Sequence, residues 1–351
     1  MDGPPLKQSR ATLATVAAST GVSIATVSKV LNGRRDVASS TRALVQEALR
    51  QHDYAASAPR RPAPETRHTV EVEVDGALSA YSSEVVQGVI DAGAQAGVGI
   101  VVSSHVRRGG STPVERPTLW ARSLTATGRR AVIAVTSDLT ADHLSALSSA
   151  RIALVVVDPM NLPRARVTSV GSTNFAGGLS ATQHLLDLGH RRIGYIGGPA
   201  SAACSHARMH GYRAAMEAEG APVPPGYVAT GPFFDYTNGV SAGGTMLDLP
   251  EPPTAIFAGS DEVALGVIEA ARVRGLRVPQ DLSLVGFDDT SLARFASPPL
   301  TTVRQALREI GGVALRTALR LAAGETIESH HVELATSLVV RGSTAPPAAD
   351  R

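Results

Sequence analysis

From Thr69 onward, short runs of β-branched and aliphatic residues alternate with helix-period stretches, several of them stopped by glycine. That alternation restricts the fold more than any other feature, because strands buried on both faces must be joined by helices that cover the sheet. The first runs predict strands at 70–74, 98–103, 131–136 and 153–157, with a helix over 83–96 between the first two. The pattern then resumes as helix 176–188 before Gly189, strand 192–196, helix 205–219 before Gly220, strand 254–258 and helix 261–274 before Gly275. Repeated βαβ units of this kind predict an α/β body of two parallel-sheet lobes, with any ligand beyond the carboxyl ends of the strands.

Ahead of the body the pattern is purely helical. Thr12 can cap a helix reaching about Ser19, with Leu13, Val16 and Ala17 on one stripe and Gly21 ending it. Ser23 is placed to cap a second helix in which Val27, Val30 and Leu31 face inward. Ala25, Ser28 and Lys29 share the opposite face, and Ile24 lies on the border. Asn32-Gly33 stops it, and a third helix follows over about 40–52 with Leu44, Val45, Ala48 and Leu49 inward. Two short helices around a glycine turn, the second with a small and basic outer face, suit the major groove of DNA, although a plain three-helix bundle has the same pattern.

Charge and composition narrow the class. Residues 1–67 carry 10 Lys/Arg against 5 Asp/Glu, whereas the whole chain of 351 residues has a net charge of only +2. A basic head on a near-neutral body fits nucleic acid, and equally a solvated surface. Apolar residues make up 43%, enough for a globular chain. The single cysteine, Cys204, allows neither an internal disulfide nor a cysteine zinc site, there is no signal-peptide core, and apolar runs such as 152–157 are too short to span a bilayer. A cytoplasmic protein without membrane association is expected.

The stretch Thr12-Leu-Ala-Thr-Val-Ala-Ala-Ser-Thr-Gly-Val-Ser-Ile-Ala-Thr-Val-Ser-Lys-Val-Leu-Asn32, followed by Thr41-Arg42 and Tyr54, resembles the headpiece of the lactose-repressor and galactose-repressor family. So do the body segments 188–199, 285–289 and 298–305. The resemblance runs from about Thr12 to Thr344 and is weakest between His105 and Arg130. It implies a helix-turn-helix headpiece (1–57), a linker (58–68), a two-lobed periplasmic-binding-protein-like effector and dimerisation domain (69–344) and a tail (345–351). It also implies a ligand-responsive repressor that binds double-stranded operator DNA and a sugar-like effector as a homodimer, with a tetramer left open. By position, Ile24, Ala25, Ser28 and Lys29 would read the groove, and Ser23, Thr26, Asn32 and Thr41 would hold phosphates. In the body Ser79, Tyr81 and Asp158 would line the first lobe, and Arg208, Phe234, Ser260 and Asp288 would face the cleft from the second.

The sequence departs from the family at three places. The family's hinge helix wedges a leucine into the minor groove, but Pro59, Pro62 and Pro64 favour extended backbone here, and Ala63 stands about where the leucine belongs. Arg60, Arg61 and Arg67 then either clamp phosphates without kinking the duplex or belong to a bare linker. Ala38 replaces the usual serine cap of the third helix, leaving Ser39 or Ser40 as substitutes, and Ser260-Asp261 replaces an asparagine–aspartate pair. Phe233 and Phe234, in an aromatic-poor chain, are candidates for stacking on a sugar ring or for simple packing.

Other chemistries find little support. His206 and His210 have metal-pair spacing but lack the glutamate of a metalloprotease motif, so no metal is expected. Adjacent Asp288 and Asp289 should point apart on an extended segment, which speaks against paired-carboxylate catalysis and an enzyme. Residues 194–198 lack the complete dinucleotide pattern and no phosphate-loop lysine motif occurs, so no cofactor is implied. An exported solute receptor shares the body, but it would need a leader and no basic head.

Overall fold

The computed structural model describes residues 12–31, 34, 36–52, 69–105, 116–137, 139–160 and 167–348. They fall into two compact units, the first within residues 1–66 and the second from Arg67 onward.

The first unit is a three-helix head: α1 (Leu13–Thr20), α2 (Ile24–Leu31) and α3 (Ser39–Gln51). Thr12 caps α1 through a reciprocal pair with Thr15, and Gly21 ends it at φ 67°, a left-handed turn that costs glycine little. The Ser23 hydroxyl accepts from the Thr26 amide at 3.2 Å and so opens α2. Val16, Ala17, Val27, Val30, Val45 and Ala48 form the small buried core. Leu44, expected inward, is instead 52% exposed, because α3 turns its Val45 and Ala48 stripe to the other helices, with Leu49 packed at its edge. Neither Ser39 nor Ser40 replaces the missing cap; Ala38 stands at that position without a side-chain hydrogen bond.

The second unit consists of two sheets that the chain enters in turn. The first lobe is built from β1 (Thr69–Asp75), α4 (Ala80–Ala96), β2 (Gly99–His105), α5 (Pro117–Ala126), β3 (Arg129–Val135), α6 (Ala141–Ser149), β4 (Ala153–Val157) and β5 (Thr168–Ser172). The chain then builds the second lobe from α7 (Asn174–Asp187), β6 (Ile193–Gly197), α8 (Ala203–Ala218), β7 (Val228–Thr230), α9 (Tyr236–Leu247), β8 (Ala255–Ala258), α10 (Asp261–Val273), β9 (Ser283–Asp288), α11 (Ser291–Phe295) and β10 (Thr301–Arg304). It returns to the first lobe as α12 (Leu307–Ala322) and β11 (His331–Leu334), and goes back to the second as β12 (Ser337–Val339). The sheet orders are β11-β5-β4-β3-β1-β2 and β12-β10-β9-β8-β6-β7, parallel throughout except where β12 runs against β10. The chain therefore crosses between lobes three times.

Late return to the first lobe has a packing reason. Leu307, Ile310, Ala314, Leu315 and Ala318 of α12 join Val85 and Val89 of α4 over the valines of β1, closing one face of the sheet. Three helix pairs, this one and two in the second lobe, meet through the same kind of reciprocal contact. A Cβ on Gly88 would lie 2.0 Å from the Arg308 carbonyl oxygen, and one on Gly311 2.1 Å from that of Val85. The same exchange relates Gly178 to Arg208 and Gly211 to Phe175, then Gly239 to Val263 and Gly266 to Tyr236. At these crossings the backbones touch, and only hydrogen fits.

Candidate functional site

The outward face of α2 is the first candidate. Ile24 is 52% exposed, and Ala25 and Lys29 are exposed beside it, so the residues predicted to read a groove form one open surface. Ser28 and Thr26 are half-buried, and the Thr26 hydroxyl lies 2.9 Å from that of Ser23. Thr41 is half-buried in the first turn of α3. Sequence reasoning did not foresee Asp36, whose carboxylate takes a 2.8 Å hydrogen bond from the Lys29 ammonium and is held below the usual carboxylate range by it. Asn32, Arg60 and Arg61 lie outside the described residues, as does the rest of the proline-rich linker.

The second candidate lies where the strands of both lobes end. Asp158 follows β4 and Asp288 ends β9, with left-handed φ values of 44° and 112°. Such backbone is costly for a non-glycine residue and persists only where its surroundings enforce it. Tyr81, in the first turn of α4, donates to Asp158 at 2.5 Å. Arg208, carried inward by α8 and 3% exposed, donates through Nε to Asn174 at 2.8 Å and through Nη1 to the Gly259 carbonyl at 2.5 Å. Its Nη1 is 3.8 Å from the Asp288 carboxylate. The guanidinium carbon sits 3.8 Å from the Phe287 ring centre and 5.3 Å from that of Phe234. Phe234 in turn lies against Gly198 and Gly259, where a Cβ would be 2.5 and 3.2 Å from its ring.

Burial pushes the Asp288 carboxyl well up from its ordinary range, with Arg208 pulling the other way. Burial also raises Asp158, opposed by the Tyr81 hydrogen bond and by Arg208. The two carboxyls, the tyrosine, the guanidinium and the Phe234 ring thus converge on one cleft. Ser79 and Ser260 take a different part. Each hydroxyl accepts the third amide of its helix, Ser79 from Ser82 at 3.1 Å and Ser260 from Val263 at 3.1 Å, so they fix α4 and α10 at the cleft. Phe233 is 65% exposed, outside the Arg208 stack. Asp288 and Asp289 do point apart: Gln305 donates to the first at 2.6 Å, while Arg304 and Arg341 each hold the second at 2.6 Å.

Sequence reasoning missed Asn174, Gln305 and Cys204. Gln305 lay within a segment already quoted, but nothing singled it out. Cys204 precedes Arg208 by one helical turn, and burial pushes its thiol up to about 11. Among the described residues no group of three or more His, Cys, Asp or Glu is arranged to hold a metal, and no single helix is long and apolar enough to cross a membrane.

Residues 12–57 match the bacterial regulatory proteins of the lacI family, and residues 182–344 match the periplasmic binding protein-like domain. Catabolite control protein A of Priestia megaterium is 31% identical over 335 residues, which is 95% of this chain and 99% of that protein. The chain belongs to the lacI family. The ribose operon repressor of Escherichia coli (strain K12) is also 31% identical, over 95% of this chain and 99% of its own length. Among solved structures, the complex of the transcriptional regulator CelR with cellobiose superposes with a TM-score of 0.71 at 32% identity, covering 95% of this chain and all of that one. The lac repressor dimer bound to operator and the anti-inducer ONPF gives 0.69 at 26% identity, over 96% and 100%. This lacI-family chain is a ligand-responsive, DNA-binding transcriptional regulator, and its family is one of regulators and not of enzymes.

Proposed function

We propose that this regulator represses a carbohydrate-utilisation operon, reading its operator with the α2 face and sensing a polyhydroxylated small molecule in the cleft. The observation that carries the reading is the convergence of Arg208, Asp158, Asp288 and Tyr81 beside the Phe234 ring. Buried carboxyls whose charge is costly favour a ligand rich in hydroxyl donors, the guanidinium supplies donors for its oxygens, and the aromatic face suits a pyranose ring. Ser79 and Ser260 shape the rim. In the head Ile24 and Ala25 offer only apolar contact, such as with a thymine methyl, Lys29 is the polar reader with Ser28 at its side, and Ser23, Thr26 and Thr41 sit as phosphate contacts. Asn32, Arg60 and Arg61 extend that set by resemblance alone.

A homodimer places one head on each half of a pseudopalindromic operator. The reading keeps a headpiece over 1–57, a linker over 58–68 and the effector domain over 69–344, in a cytoplasmic protein; of the flexible tail expected over 345–351, Ala345 is instead hydrogen-bonded to Ser283 and His190 of the second lobe. Effector changes operator affinity only by binding one lobe arrangement better than the other. In a gel shift with the gene's own upstream region, the wild-type protein is expected to shift the fragment at low concentration and to respond to one member of a panel of sugars and nucleosides. Arg208→Met should still shift the DNA while losing the response. No preference over random duplex at physiological salt, with or without the panel, overturns the DNA half; an unaltered response in the variant overturns the cleft half.

A further inference from the structure

Among the described residues, two of the hydrogen bonds that join the lobes across the cleft use the first amide of a helix. Ala80 of α4, in the first lobe, donates to the Glu262 carboxylate of α10 in the second at 2.9 Å. Ala203 of α8, in the second lobe, donates to the Met160 carbonyl of the first at 3.2 Å. The opening amides of a helix have no partner within it. In α4 the Ser79 hydroxyl takes the Ser82 amide, which leaves the Ala80 amide to be satisfied from outside. Glu262 itself stands in the acidic first turn of α10, so its carboxylate lies against the positive ends of two helices belonging to different lobes. It is half-buried, where such a contact is screened less than at an open surface.

We infer that Glu262 is a positioning residue that latches the lobes shut by capping α4 across the cleft, and so sets how readily the regulator opens without effector. The cross-lobe bond from Ala203 is main chain on both sides; Glu262 is the half of the clasp that side-chain chemistry can tune. Opening would expose the Ala80 amide and the carboxylate to water. The closed arrangement therefore gains only the net worth of a charge-assisted hydrogen bond, a bias small enough for a ligand to override. This inference is independent of which effector or operator the protein uses.

The molecule carries its own reporter. Cys204 is the only cysteine, adjoins Ala203 at the other cross-lobe bond, and is partly buried, with burial pushing its thiol up to about 11 and so disfavouring the thiolate. Labelling of the full-length protein by a disulfide reagent such as dithiobis(nitrobenzoate), without effector or DNA, should be slow. It should accelerate about three- to tenfold in Glu262→Ala, with Glu262→Gln in between because its amide oxygen still accepts. Ala80→Pro removes the donor from the other side. Proline suits the first helical position, and Ser79 already has the extended backbone (φ −83°, ψ 171°) that a following proline requires. The double variant should label no faster than either single one, since both break one bond. Equal labelling rates in wild type, Glu262→Ala and Ala80→Pro, at unchanged circular dichroism and melting temperature, overturn the latch. Additive acceleration in the double variant overturns it as well, by showing two unrelated effects.

Discussion

The ammonium of Lys29 is drawn toward Asp36, and a DNA base or phosphate must compete with that carboxylate for it. Both side chains are more than half exposed, so their 2.8 Å pair is cheap to break, yet it holds the lysine close to its own head until DNA arrives. Lys29→Ala should weaken operator binding by about 1–3 kcal/mol if the ammonium reads a base edge, and by less, with a salt slope shallower by about 1, if it reaches only phosphate. Asp36→Asn should tighten binding, and that gain should disappear when Lys29 is already alanine. Fluorescence anisotropy over a salt series, for the two single variants and the double, measures all of these. A gain from Asp36→Asn that persists without Lys29 would assign Asp36 a general electrostatic effect instead of a hold on the lysine.

At the scale of elements, the glycine crossings are the least forgiving contacts in the body. Gly88→Ala drives a methyl to 2.0 Å from a carbonyl oxygen, and Gly178→Ala to 2.3 Å from that of Arg208. Neither partner atom is a flexible side-chain end, so each helix pair must part, at an expected cost of at least about 2 kcal/mol. The two differ in consequence: Gly178→Ala moves the backbone that carries Arg208, and should impair effector response beyond its loss of stability. Paired thermal melts and ligand titrations of the two variants separate the effects, and equal impairment in both would mean that stability alone was lost. These crossings were invisible in the sequence because each joins residues from different elements, and no local period marks them. Short runs with strong alternation read well by contrast: 153–157 emerged as β4 with the boundaries expected, and Gly189, Gly220 and Gly275 follow the helices they were expected to stop. Helix α4 began three residues before its apolar pattern did, because Ser79 and Ser82 cap it with polar side chains. In the cleft, Arg208, Asp288 and Phe234 were named through the family resemblance, and their charge or aromatic ring made a ligand role chemically reasonable. Asn174 and Gln305 went unflagged, and Cys204 was noted only for its redox chemistry, because a neutral polar residue reveals its role only through its neighbours. Ser79 and Ser260, named for the effector by resemblance, stand in the structure as the caps of α4 and α10, and the hydroxyl geometry that makes them caps depends on backbone turns that composition does not encode.

Across the whole molecule, lobe and sequence order part company. Residues 69–172 contain five of the six strands of the first sheet but not α12, whose Ile310 and Leu315 are fully buried over it. A fragment of 69–172 should therefore show no cooperative thermal unfolding by circular dichroism, and a sharp melt would mean that α12 is dispensable to that core. The same threading bears on how the protein is made. Translation proceeds from the amino end, yet the last strand of the first sheet is β11 and that of the second is β12, with only residues 335 and 336 between them. Neither sheet can be completed on the ribosome before β11 and β12 emerge, so a nascent chain must hold two incomplete sheets open until both late strands arrive almost together.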